Sequence, residues 1–316
     1  NHGLYATLYS FPAMMKRNLM KGSVIPRYSG LPTVLKENGY YNLFFMTHEG
    51  QYDNMNAFFR TNGYDEVFSQ EDYPADKVVN SFGVQDDFLY DYAIPVLNQR
   101  AATGQPFFAT LLSISNHPPY VIPPFFHPKT SEPETQIVEY ADWALRQFFE
   151  EARKQPWFDN TIFVLEGDHG KLVGDAECEL PESYNHIPLM IYSSRIQPEE
   201  KTTFGGQVDI QPTILGLLNI DYLQNNFGVD LLKEERPCMF YTADNMVVGR
   251  NDTLLYLYNY ETQQELTYDI GNGKLNAVPM DDSFLPLKEY SFSMLQSAEF
   301  LVKHGKTLNS IPFTQQ

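Results

Sequence analysis

Four short stretches of the chain are apolar almost without interruption: YNLFFMT (41–47), FFATLLSI (107–114), TIFVLEG (161–167) and IPLMIY (187–192). A strand with one face in water alternates apolar and polar residues. One that reads apolar throughout must be covered on both faces, as parallel strands between two helical layers are. Helical patterns lie between these runs. Residues 31–38 end before Gly39, and 54–62 end at Gly63, both plausible C-caps. In residues 134–154, Ile137, Ala141, Leu145, Phe148, Phe149 and Ala152 recur at three- and four-residue steps until Pro156 stops the helix. Residues 209–218 open on Asp209, a cap candidate. This alternation predicts an α/β fold, a mostly parallel central sheet flanked by helices with right-handed crossovers. Beyond Leu232 the texture changes to short aromatic runs, CMFYT, LLYLYNY and ELTYDI, split by GRND and GNGK, with Asn272-Gly273 as a turn signal. These predict a small antiparallel appendage and a final helix near residues 288–303. The chain therefore divides into 1–232 and a packed-on 233–316.

Charge and cysteine content narrow the chemistry. With 22 Lys plus Arg against 40 Asp plus Glu, the formal charge is −18, which argues against nucleic acid or an anionic membrane surface as the main partner. Two cysteines, Cys178 and Cys238, make neither a disulfide framework nor a four-cysteine zinc site; a single bridge and two free thiols both stay open. No run of 18 apolar residues is present, and the opening residues do not read as a signal peptide. A first residue other than Met leads to the expectation that an upstream segment has been removed. No GxGxxG, GxxxxGK[ST] or GxSxG occurs, so dinucleotide, P-loop and α/β-hydrolase chemistry lack their usual support.

The candidate chemistry lies at strand ends. In LEGDHGK, Asp168 and His169 follow an apolar run and are flanked by Gly167 and Gly170. Ligands bind beyond the carboxyl ends of strands in open α/β sheets, and an adjacent carboxylate and imidazole suit a zinc- or manganese-type ion. ISNHPPY places Asn116 and His117 after another run, where Pro118 and Pro119 fix the backbone; the imidazole would suit a phosphoryl or sulfuryl oxygen, or simply cap a proline turn. MTHEGQYDNM carries His48 just past a third run, with Asp53 poised equally for capping a helix or for ligation. His186 precedes IPLMIY, the opposite end if that strand is parallel, and has the weaker claim. Imidazoles and carboxylates without a reactive thiol point to metal-assisted ester chemistry.

At these residues the sequence resembles the alkaline-phosphatase/sulfatase superfamily, and within it the lipoteichoic acid synthase-like phosphoglycerol transferases. The matching pieces run in family order: LYATLYSFP (4–12), SGLPTVLKENGY (29–40), YDNM (52–55), NGYDEVF (62–68), SFGVQDD (81–87), SNHPPY (115–120), GDHG (167–170), HIPLMIY (186–192) and GGQVDIQPTIL (205–215). The likeness covers about residues 1–232, and the ordered set is far more specific than GDHG alone.

The resemblance implies an alkaline phosphatase-like fold and a catalytic role for 1–232. It implies that Asp168 and His169 hold one divalent metal ion, Mn with Mg or Zn as alternatives, and that His117 and His48 are catalytic, substrate-side imidazoles. Asn116, Asp53 and His186 complete the expected substrate contacts. The synthases place a Trp and an Arg shortly after the residue matching His48, whereas GQYDNM stands here, which leans away from strict glycerol-phosphate polymer synthesis. The family nucleophile is a Thr just ahead of the region matching Asn1-His2-Gly3, and a metal-binding Glu lies further upstream after the first strand. Neither is in this chain, and Thr7, within a helical segment, does not take the role. The resemblance further implies a phospholipid or glycan head-group substrate and an extracytoplasmic domain of a membrane-anchored parent. A sulfatase of the same superfamily and a catalytically silent binding domain are the alternatives.

Overall fold

The computed structural model describes residues 2–14, 18–21, 24–172, 174–271 and 273–309. Asn1 and Asn272, the latter half of the predicted turn, lie outside the described residues. Helix α1 (His2–Tyr9) is buried along almost its whole length, and α2 (Leu31–Glu37) follows. Strand β1 (Tyr41–Met46) leads through a short turn to α3 (Met55–Thr61) and β2 (Glu66–Phe68), and a small hairpin of β3 (Val78–Asn80) and β4 (Gly83–Val84) precedes α4 (Asp86–Ala101). Then come β5 (Phe107–Leu112), α5 (Pro133–Ala152), β6 (Phe163–Glu166), β7 (Leu189–Tyr192) and α6 (Ile210–Leu217). The predicted helices over 31–38, 54–62, 134–154 and 209–218 are thus present with small shifts at their ends. Helix α4 is not foreshadowed, because Pro95 sits inside it and its buried residues, Leu89, Ala93, Ile94 and Leu97, form no long repeating stripe. Its first turn carries Asp86 and Asp87, where negative charge favours a helix N-terminus.

The central sheet departs from the mostly parallel expectation. Among the described residues only β2-β1-β5 is parallel, with Leu43 opposite Glu66 and Ala109, and Met46 opposite Leu112. Strand β7 runs antiparallel to β6, Glu166 facing Leu189, so IPLMIY is not a parallel crossover strand. The described residues of the connection between them form a loop whose one short turn of helix is Glu182–Tyr184. It returns the chain on the same side instead of carrying it across the sheet. No ladder joins β5 to β6 among the described residues. The fold is therefore α/β with mixed parallel and antiparallel sheets flanked by helices.

Two apolar layers cover the parallel strands. On one side Phe44 stacks on Phe59 at 4.2 Å and meets Tyr64 edge-on, while Tyr5, Tyr9 and Tyr28 pack with Phe58. On the other, Leu43 and Phe45 meet Leu89, Ala93 and Leu97 of α4 and Phe148 and Ala152 of α5. Each such fully buried side chain contributes about 1.5–3 kcal/mol relative to exposure.

The C-terminal region is a five-stranded antiparallel sheet in the order β12-β11-β10-β9-β8, from β8 (Met239–Ala243), β9 (Met246–Arg250), β10 (Leu254–Asn259), β11 (Gln264–Gly271) and β12 (Lys274–Ala277). Helix α7 (Leu285–Lys303) lies against it. Ala6 and Val208 share a cluster with Phe240, Val247 and Leu295, so this sheet is packed onto the preceding region. An ion pair seals the junction. The Asp209 carboxylate accepts from Gly206 N and Val229 N at 2.9 Å each and from Arg236 Nε at 2.9 and 2.8 Å, with both side chains essentially unexposed. Asp209 is thus a buried clamp more than a simple helix cap. Cys178 and Cys238 are free thiols.

Candidate active site

Strands β1 and β5 are parallel and in register at their ends, so the loops that follow leave by the same edge. His48 follows β1. It is 2% exposed, its Nδ1 donates to the Glu49 carbonyl at 3.1 Å, and its ring lies 4.7 Å from that of Tyr52. Burial lowers its pKa, against the opposing pull of the Glu49 carbonyl and the charges of Asp53 and Glu71. Asn116 and His117 follow β5. His117 Nδ1 donates to the Pro118 carbonyl at 2.7 Å, and its ring lies 4.3 Å from Phe82.

Asp168 and His169 follow β6. His169 Nε2 lies 3.8 Å from Asp168 Oδ2, and His169 Nδ1 donates to the Gly170 carbonyl at 2.8 Å. This turn is braced from behind. Gln207 Nε2 donates to the Gly167 and Asp168 carbonyls at 3.1 and 2.9 Å. A Cβ on Gly3 would sit 2.0 Å from the Asp168 carbonyl oxygen, so only glycine lets α1 start there. His48, His117 and His169 share one device: Nδ1–H is committed to the next residue's carbonyl, which leaves Nε2 as the nitrogen outside that bond.

His48, Asn116, His117, Asp168 and His169 all line one cavity of about 1450 Å³. Asp53 and His186 are not in its wall. Asp53 pairs with Lys21 at 2.6 Å and, with Asn54, takes positive φ (50° and 63°); no side chain caps α3. Because β7 is antiparallel, its start lies beside the end of β6, so His186 is at the same sheet end as Asp168 and not the opposite one. The segment before it packs on the GDHG turn, Gly170 N donating to the Tyr184 carbonyl at 2.8 Å.

Asp168 and His169 supply one oxygen and one nitrogen donor, and the tautomer held by Gly170 presents Nε2 outward, so the pair fits two positions of a divalent-cation site. Among the described residues no group of three or more His, Cys, Asp or Glu could hold a metal ion, so the remaining donors are not found in them. Glu166, which sequence reasoning passed over, also lines the cavity. Thr7 Oγ1 donates to its Oε1 at 2.5 Å, and burial, with Asp168 nearby, raises its pKa to about 7 against the Thr7 bond. Thr7 lies inside α1 with its hydroxyl already committed. Gln207 was missed too; it stands in the GGQVDIQPTIL motif, whose readings as a family match and a helix start give this side chain no role.

Below the loops the same cavity runs between the free edges of β5 and β6. Leu31 of α2 and Ile214 of α6 line it, as do Leu97 of α4 and Phe148 of α5.

A family model described as Sulfatase matches residues 2–220, and the chain belongs to that family, within the alkaline-phosphatase/sulfatase superfamily of hydrolases and transferases. It is similar to lipoteichoic acid synthase 1 of Bacillus subtilis, 26% identical over 270 residues that cover 78% of this chain and 40% of the relative. It is also similar to phosphoglycerol transferase I of Xanthomonas campestris, 25% identical over 242 residues covering 73% of this chain and 34% of the relative. The chain spans well under half the length of these relatives. Among solved structures, a protein of the alkaline phosphatase superfamily from Vibrio parahaemolyticus superposes with a TM-score of 0.85 at 26% identity, covering 98% of this chain and 76% of the other. The lipoteichoic acid synthase LtaP of Listeria monocytogenes shares the fold, with a TM-score of 0.79 at 22% identity over 96% of this chain and 79% of its own. The superfamily generally uses a divalent metal.

Proposed function

We propose that this chain is the larger part of a metal-dependent domain that transfers or hydrolyses a phosphoryl-linked head group of the phosphoglycerol or phosphoethanolamine type. The observation that carries the reading is the convergence of three loops, from the ends of β1, β5 and β6, on one cavity, with three imidazoles presenting Nε2 atoms beside one carboxylate. Asp168 and His169 would hold the divalent ion, Mn2+ in first place and Mg2+ or Zn2+ otherwise, whose charge lowers the pKa of an attacking hydroxyl and offsets phosphoryl charge. His117 and Asn116 face the phosphoryl group. His48, kept neutral by burial, accepts a hydroxyl proton of the head group through Nε2. Asp53 and His186 stand behind this group as outer contacts.

The nucleophile in this reading is a Thr ahead of Asn1 in a longer parent. Its oxygen attacks phosphorus to give a phospho-threonine, and a hydroxyl acceptor or water releases it. The slot between β5 and β6 supports this placement. It is apolar on both faces, with Leu31 and Ile214 on one side and Leu97 and Phe148 on the other, and α1 starts against the tip of β6. We further propose a parent held in the membrane by segments elsewhere, with this domain extracytoplasmic on phospholipid or glycan head groups. No helix among the described residues is long and apolar enough to cross a membrane.

The test is Mn2+-dependent turnover of bis(4-nitrophenyl) phosphate and of 4-nitrophenyl sulfate by this chain and by a version extended upstream through the Thr. The reading expects phosphodiester turnover only from the extended version, abolished by Asp168→Asn. Turnover by the short chain alone would refute the upstream nucleophile. Sulfate release without phosphodiester cleavage would favour the sulfatase alternative, and neither activity a silent domain.

A further inference from the structure

His48 and His117 sit on different loops, after different strands, yet one short segment touches both. At Gly83 the backbone has φ +91° and approaches the first loop so closely that a Cβ would lie 1.7 Å from the Thr47 carbonyl oxygen and 3.0 Å from His48 Cα. Val84 N donates to that same carbonyl at 3.2 Å. One residue on, the segment turns to the second loop. Gln85 Oε1 accepts from Ser115 Oγ at 2.8 Å, and Gln85 Nε2 donates to the Val121 carbonyl at 2.8 Å, so one amide grips the loop at its entrance and exit, with His117 between. Asp86 Oδ1 accepts from Ile114 N and Ser115 N at 2.9 Å each, while Asp86 N donates to Ser115 Oγ at 3.0 Å. Phe82 at the segment's start lies against the His117 ring. Gly83, Val84, Gln85 and Asp86 are all buried, so these bonds are made where water does not compete and where a missing partner is costly.

We propose that Phe82–Asp86 is a positioning element that sets His48 and His117 relative to one another, so that both imidazoles meet a single head group. Neither Gln85 nor Asp86 touches substrate in this account; each acts through His117, as Gly83 acts through His48. The proposal rests on the reading of the two histidines as substrate-side groups, but its mechanical half does not. A displacement at either end of a rigid, fully bonded five-residue segment is passed to the other.

The experiment uses the 316-residue chain with 13C,15N-labelled histidine, which gives only seven ring signals to follow. Gln85→Leu removes both amide bonds to the His117 loop and leaves the Gly83 and Val84 contacts with the His48 loop in place. It is expected to displace the ring signals of His117 and of His48, with His186 and His304 unmoved. Asp86→Ala is expected to do the same, and Asp86→Asn, whose oxygen can still accept from both amides, to restore the wild-type positions. Gly83→Ala approaches from the other end and is expected to displace His117 although the atoms nearest its new Cβ belong to Thr47 and His48. If it does not fold, the three Gln85 and Asp86 variants carry the test alone. Displacement of His117 alone in Gln85→Leu and Asp86→Ala would overturn the coupling, as would failure of Asp86→Asn to restore it. Titrating wild type with glycerol phosphate separates the two layers. If no histidine signal responds, the substrate reading fails while the mechanical coupling stands or falls on the variants. If both histidines respond in wild type and the Gln85→Leu variant binds as tightly, the positioning role is refuted.

Discussion

Strands β1 and β5 lie side by side in register, both written in nearly pure apolar residues, yet their burial differs. Leu43, Phe44, Phe45 and Met46 of β1 are wholly inaccessible, while every residue of β5 is only half-buried, as is every residue of β6. Beyond β6 the exposure grows: Met190 of β7 is 54% exposed. Composition does not separate these strands; the number of neighbours does. β1 is paired on both edges, whereas β5 and β6 each have one paired edge and one facing the slot. The C-terminal sheet gives the same lesson from its interior, where Val248 in β9 and Leu257 in β10, each between two strands, are fully buried. An apolar run states what its surroundings must be, and at β5 and β6 that requirement is unmet by the described residues.

This contrast between a closed half and an open one can be broken in measurable ways. The largest effect should come from the ion pair that seals the closed half. Arg236→Ala leaves the Asp209 carboxylate buried with its guanidinium partner gone and should cost about 3–5 kcal/mol in denaturant unfolding. A loss below 1 kcal/mol would mean that the junction is not as dry as described.

Next comes a matched pair. Leu257→Ala in β10 should cost about 2–5 kcal/mol, whereas Leu111→Ala in β5 should cost less than about 2 kcal/mol, since part of its side chain is already accessible at the slot. Equal losses would remove the distinction between the two regions.

A smaller effect is read through pH. His48 has its pKa lowered in the folded chain by burial, so below its ordinary value the unfolded chain binds more protons than the folded one. His48 therefore contributes less stability as pH drops from 7 towards 5, opposite to Glu166, whose raised pKa favours the folded chain over the same window, so His48→Asn should make the chain more stable at pH 5 relative to pH 7 than wild type is. A variant as acid-sensitive as wild type would place the titrating group elsewhere. Smallest of all, Lys21→Ala should cost no more than about 1 kcal/mol, because its pair with Asp53 is largely exposed on the lysine side.

The helices at 31–37 and 133–152 and the strand runs were legible because a helical stripe and an uninterrupted apolar run are both local patterns. The direction of β7 was not, because strand orientation is set by what the intervening loop does, and the residues between His169 and His186 carry no helical stripe that would have ruled a crossover in or out. Helix α4 was hidden by Pro95. For the site, the residues that bear the chemistry, His48, Asn116, His117, Asp168 and His169, announced themselves by type and by their place after apolar runs. The residues that hold them did not. Gln85, Asp86 and Gln207 act through amide and carboxylate bonds to backbone atoms 28 to 40 positions away, and nothing local in the sequence marks such a bond. Asp53 stands between: two roles were open, and the fold gives it a lysine partner and a place outside the cavity wall.

Paramagnetic broadening tests the shared cavity most directly. Mn2+ added to the histidine-labelled chain should broaden the His169 ring signal first, with His117 and His48 next, while His304 at the far end of α7 stays sharp. Broadening confined to His169, with His117 and His48 as sharp as His304, would contradict the convergence of the three loops on one centre.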